Sequence, residues 1–148
     1  MLAVVAFWLG GCTSAGQQMT DQTLPERRPT DFTLGVVVFG DEAAGDVSSL
    51  SARYIVDAAG NLRASVGAGS DAGTYPKITR RLSSEQLDQI WSMVEGLELG
   101  DPIAGEAMPE DGYLIEIRSG QRSRAWVVED DSAGAVVGLL AELAWIRE

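Results

Sequence analysis

Tyr113-Leu114-Ile115-Glu116-Ile117-Arg118-Ser119-Gly120-Gln121-Arg122-Ser123-Arg124-Ala125-Trp126-Val127-Val128 is the stretch that decides the fold. Two runs of alternating apolar and polar residues flank a turn signal at Ser119-Gly120-Gln121, the pattern of an antiparallel hairpin. Register follows from which pairing keeps one face apolar, because a slip of one residue carries every side chain to the other face. A two-residue turn that sets Ile115 opposite Arg124 mixes the faces. A three-residue turn pairs Ile117 with Ser123, Ile115 with Ala125 and Tyr113 with Val127, and is the expected register. It sets Glu116 against Arg124 and Leu114 against Trp126 on the opposite face, each pair contributing about 0.2–1 kcal/mol. Leu114, Trp126 and Arg124 are therefore the candidate binding residues, since amphipathic aromatics outside a core anchor partners. A helix laid over that face is the alternative.

Working outward, Asp31-Phe32-Thr33-Leu34-Gly35-Val36-Val37-Val38-Phe39 carries apolar residues on both parities, which predicts a central strand covered on both faces. Leu50 to Val56 alternates, Asp57-Ala58-Ala59-Gly60-Asn61 supplies turn chemistry, and Leu62, Ala64 and Val66 continue the alternation, so a second hairpin is expected. Gly67-Ala68-Gly69-Ser70-Asp71-Ala72 fits the loose G-x-G-x-x-[GA] pattern. A dinucleotide loop must open a helix, however, and here Tyr75-Pro76 and the strand-like Lys77-Ile78-Thr79-Arg80 follow, so it reads as a loop.

Leu82-Ser83-Ser84-Glu85-Gln86-Leu87 is a helix start. Ser83 caps, Gln86 reaches back to the cap, and Leu82 staples to Leu87. Leu87, Ile90, Trp91, Val94 and Leu97 follow a 3.6-residue period, which makes Trp91 a core residue, and Gly96 or Gly100 ends the helix. Glu98 to Gly112 is an irregular acidic loop without the ligand spacing of a calcium site. Asp130-Asp131-Ser132 caps a last helix from Ala133 to Ile146, in which Glu142 is the sole charge and Gly134 and Gly138 are expected to permit close approach to the sheet. These elements give an α+β domain of order ββ β(β) α ββ α: an antiparallel sheet of about five or six strands with two helices packed mainly on one face.

The N-terminal end has a different character. Met1 to Leu9 is uncharged and apolar, and Leu9-Gly10-Gly11-Cys12 closes it. This resembles the lipobox of bacterial lipoproteins, with a branched aliphatic residue three positions before the cysteine and two small residues between. The resemblance implies a signal peptide over residues 1–11 and diacylglyceryl and acyl (palmitate-type) modification of Cys12 as the membrane anchor; residues 1–11 depart from the family pattern in having no Lys or Arg in the n-region, which a start upstream of Met1 would explain. Residues 12–30, rich in Gln, Thr, Ser and Pro, then form a flexible tether with a reach of roughly 23 Å, and residues 31–148 form the single domain. Arg80-Arg81-Leu82-Ser83-Ser84-Glu85-Gln86-Leu87 also resembles the R-x-L-S-x-E-x-L helix start of small bacterial lipoprotein domains, a likeness that implies no activity and no site residues. In a Gram-negative envelope, Thr13 after the acylated position implies the outer membrane.

Composition limits the chemistry. A net charge of −11 repels nucleic acid and anionic headgroups. The chain has one cysteine and no histidine, so an internal disulfide, Ser-His-Asp and Cys-His catalysis and the common zinc sites are out of reach. Lys77 has no S-x-x-K pattern before it, and the 22 acidic residues contain no motif that selects a catalytic pair. The expectation is a non-catalytic envelope lipoprotein without metal or cofactor, a protein-binding or assembly module whose partners are the membrane, through Cys12, and an envelope protein. The alternatives are an acidic inhibitor or sequestering protein for a basic partner, and a carboxylate-based hydrolase.

Overall fold

The computed structural model describes residues 24–40, 50–70, 75–103, 111–129 and 131–145. Strands β1 (Thr33–Phe39), β2 (Ala52–Val56), β3 (Asn61–Val66) and β4 (Ile78–Arg81) precede helix α1 (Ser84–Glu95). Strands β5 (Gly112–Ser119) and β6 (Arg122–Val128) lead through a 3-10 turn at Asp131–Ala133 to helix α2 (Gly134–Trp145). The strands form one antiparallel sheet in the order β4-β3-β2-β1-β5-β6, so β1 is central and the α+β architecture is as expected, while among the described residues the helices cover one face of β1 and not both.

Strand alternation sorts the side chains. Leu34, Val36 and Val38 lie opposite Val56, Tyr54 and Ala52 of β2 and opposite Ile117, Ile115 and Tyr113 of β5. Leu62 and Ala64 extend this inner face through β3, and Trp126 extends it through β6. Against it pack Ile90, Trp91 and Val94 of α1 and Val136, Leu140, Leu143 and Ala144 of α2. Each fully buried Leu, Ile or Val contributes about 1.5–3 kcal/mol, so this single core carries the stability of the domain. Val37 and Phe39, on the opposite parity of β1, are also buried but stand outside that cluster.

Helix α1 starts as its sequence dictates. Ser83 Oγ accepts from the Gln86 amide at 3.2 Å and Gln86 Oε1 accepts from the Ser83 amide at 2.9 Å, a reciprocal box that satisfies two orphan donors. Gly96 ends the helix with an ordinary φ of −76°. Replacing Ser83 by alanine is expected to lower stability by about 1 kcal/mol, read as a reduced denaturation midpoint at unchanged slope.

Four further expectations change. The β5–β6 turn is Gly120-Gln121, with Ser119 opposite Arg122, so Ile115 faces Trp126, Leu114 faces Val127, Glu116 faces Ala125 and Ile117 faces Arg124. The physical reason is twofold. Gly120 takes φ +59° at the first turn position, as a II′ turn demands. This register also buries the Trp126 indole where the expected one would have buried Ala125, and an aromatic side chain removes 150–250 Å² from water. Second, Gly138 faces open space, with nothing within 4 Å of a Cβ built there, so it makes no close approach to the sheet. Third, α2 begins at Gly134, after the 3-10 turn.

Fourth, Leu24 to Thr30, placed by sequence in the tether, pack on the domain. Trp91 Nε1 donates to the Pro25 carbonyl at 3.1 Å, and the Trp91 ring meets Phe32 edge-on at 5.3 Å. Arg28 bonds Asp88 at 2.8 Å and lies over the Phe32 ring. Among the described residues no helix is long and apolar enough to cross a membrane.

Candidate functional site

The structure separates the three candidate residues. Trp126 is buried in the core, and its indole Nε1 donates to the Gly100 carbonyl at 3.1 Å. Arg124 is half-buried on the helix side of the sheet, opposite Ile117. Leu114 alone lies on the outer face, half-buried between Val37 and Val127. No Leu114–Trp126 patch exists. The Gly100–Ile103 segment instead guards the β6 edge, with the Ile103 amide donating to the Ala125 carbonyl at 2.8 Å. Cys12 lies outside the described residues.

The surface left open by the helices is the other side of the sheet. Both helices pack on the inner face, so among the described residues no helix covers Arg53 and Ile55 of β2, Arg63 of β3, Gly35 of β1, or Leu114 and Glu116 of β5. Gly35 sits between Ile55 and Glu116, and a Cβ there would meet only Glu116, at 3.7 Å or more, so the middle of the face is a shallow floor.

Charge is divided between the two layers. Among the described residues the six strands carry seven arginines and one glutamate, in a chain whose net charge is −11. Helices α1 and α2 carry Glu85, Asp88, Glu95 and Glu142 and no basic residue. Of the strand arginines on the outer side, Arg118 pairs with Glu116 at 2.9 Å, and Ser123 Oγ donates to the same Glu116 oxygen. Arg63 bonds Asp57 at 3.4 Å, donates to the Pro76 carbonyl at 3.2 Å and lies 4.7 Å from the centre of the exposed Tyr75 ring. Arg53 is half-buried between Val37 and Ser65, and among the described residues no hydrogen bond or ion pair holds its guanidinium. That was hidden in the sequence, where strand arginines read as solvent-facing alternation. Strand order and register were needed to bring them together.

Carboxylates with shifted acidity serve the fold. Asp31 accepts from Ser119 Oγ at 2.9 Å and from the Gly120 amide at 2.7 Å, tying the β5–β6 turn to the start of β1, and these bonds hold its pKa below the ordinary carboxylate value. At Asp57 partial burial works to raise the pKa, but hydrogen bonds from Asn61, Ala59 and Arg63 outweigh it and the net shift is downward. A general acid needs the opposite shift, so neither residue is suited to that role. Among the described residues no group of three or more His, Cys, Asp or Glu could hold a metal ion.

A lowered folded-state pKa means that the unfolded chain binds the proton first. The contribution of both residues is therefore complete above the unfolded value of about 3.9 and is lost as pH falls through the folded value. The denaturation midpoint is expected to fall on acidification below pH about 4, and Asp31→Asn with Asp57→Asn should flatten that fall. Equal slopes in the parent and the double variant would contradict this.

The chain matches no protein-family model, no curated protein and no solved structure.

Proposed function

We propose that this chain is a lipid-anchored, non-catalytic module of a bacterial cell envelope that binds another protein through the outer face of its sheet. The observation that carries the binding role is the placement of both helices on one side, which leaves Arg53, Ile55, Gly35 and Leu114 on a face without a helix. Such a face, part apolar and part arginine, is the composition on which protein partners are held. The membrane anchor rests on Leu9-Gly10-Gly11-Cys12.

Two measurements test the halves separately. Intact mass of the native protein should show loss of residues 1–11 and acyl groups on Cys12; an unmodified thiol with Met1 attached removes the envelope address. A photo-crosslinking residue at Ile55 on the outer face should yield a discrete adduct in the native envelope, while one at Ser92 on α1 should not. Adducts from the helix side alone, sensitive to salt, would favour the second reading. In that reading the acids of α1 and α2 sequester a basic partner.

A further inference from the structure

We infer that the outer face receives an extended protein segment that is both acidic and apolar, its carboxylates meeting Arg53 and Arg63 and its apolar side chains resting on Ile55 and Leu114. The inference rests on the outer face being the docking surface and adds the chemistry of the partner. Arg53 is the anchor. Arg53 is half-buried between Val37 and Ser65, and among the described residues no carboxylate pairs with its guanidinium. A planar fork of donors in that position suits a bidentate carboxylate. Register makes Arg63 a diagonal neighbour of Arg53, opposite Ile55, so a second cation lies within reach of a long acidic side chain. The floor at Gly35 lets a backbone lie close to the sheet between Ile55 and Glu116.

Charge geometry favours a protein segment over a membrane. At physiological ionic strength a charge is felt over about 8 Å, so a narrow segment lying in the face responds mainly to the local arginines. A flat anionic bilayer extends over the whole domain and meets the full −11. Pro25 lies against Trp91 of α1, so the described residues nearest in sequence to Cys12 pack on the helix side of the sheet, away from the outer face.

A displayed library of random peptides of about twelve residues, sorted on the full chain, tests this. Enriched peptides should interleave Asp or Glu with apolar residues, bind more weakly as salt rises, and lose about tenfold in affinity to Arg53→Met, while Glu95→Lys on α1 does not weaken them. Arg53→Lys, which keeps the charge and loses the fork, should fall between. Circular dichroism and denaturation midpoints establish that each variant folds, and Arg53→Lys carries the test if Arg53→Met does not.

The inference is overturned by no enrichment, by enrichment of neutral or basic peptides, or by binding indifferent to Arg53. Arg53-dependent binding to vesicles of phosphatidylcholine with about 30% phosphatidylglycerol, without acidic peptides, would assign the face to lipid. Arg53-dependent dimers in sedimentation would assign it to a second copy. Each result overturns the segment. An Ile55 crosslink in the envelope together with a failed library would leave the docking surface standing with a partner of different chemistry, whereas loss of the crosslink removes both.

Discussion

Truncating Trp126 to alanine is expected to destabilise the domain by about 3–5 kcal/mol, a large share of the roughly 5–15 kcal/mol that a domain possesses. The indole is 6% exposed, lies opposite Ile115 on the inner face and donates its N–H to the Gly100 carbonyl. Its removal leaves a cavity among the core side chains and frees the segment that guards the β6 edge. Leu114→Ala, on the outer face and half-buried, should cost only about 1 kcal/mol. The pair of denaturation midpoints discriminates between registers. In the three-residue turn expected from alternation both side chains would share the outer face and both truncations would be mild, so a cost below about 1 kcal/mol for Trp126→Ala would contradict the observed pairing.

Alanine at Gly112 should cost about 2–4 kcal/mol, while alanine at Gly138 should stabilise by about 0.5–1 kcal/mol. The same chemical change takes opposite signs because the surroundings differ. Gly112 opens β5 with φ +94°, where an L side chain is strained, and a Cβ there would stand 2.6 Å from the Val128 carbonyl oxygen and 3.2 Å from the Glu129 Cα. Backbone on the neighbouring strand cannot give way without breaking the β5–β6 ladder. Gly138 lies exposed on α2 with nothing within 4 Å of its missing Cβ, so alanine there removes only the entropic penalty of glycine in a helix. Thermal or denaturant unfolding of the two variants against the parent reads both signs. A neutral Gly112→Ala would mean that β5 starts with a different backbone path.

Elements whose determinants are local could be read from the chain. The capping box at Ser83, the stripe of Ile90, Trp91 and Val94, the turn at Asp57 to Asn61 and the alternation of β2 and β3 are set by residues a few positions apart, so sequence alone determined the helix start, the first hairpin, the core placement of Trp91 and the α+β class. The β5–β6 register was not legible in this way. It depends on Asp31, distant in the chain, accepting from Ser119 and Gly120, and on the inner face taking an indole in preference to Ala125. The docking of Pro25 on Trp91 likewise joins residues 66 apart, so a polar stretch that reads as tether packs on the domain as far forward as Leu24. The candidate site shows the same division. Alternation placed Leu114 on one face, but which face the helices would cover, and which arginine would stand on the other with no partner among the described residues, depended on strand order and register. Sequence alone determined the elements and the expectation of an anchor at Cys12. Only tertiary structure decided which side of the sheet the helices leave uncovered, because that follows from contacts between residues far apart in the chain, and no local pattern encodes them.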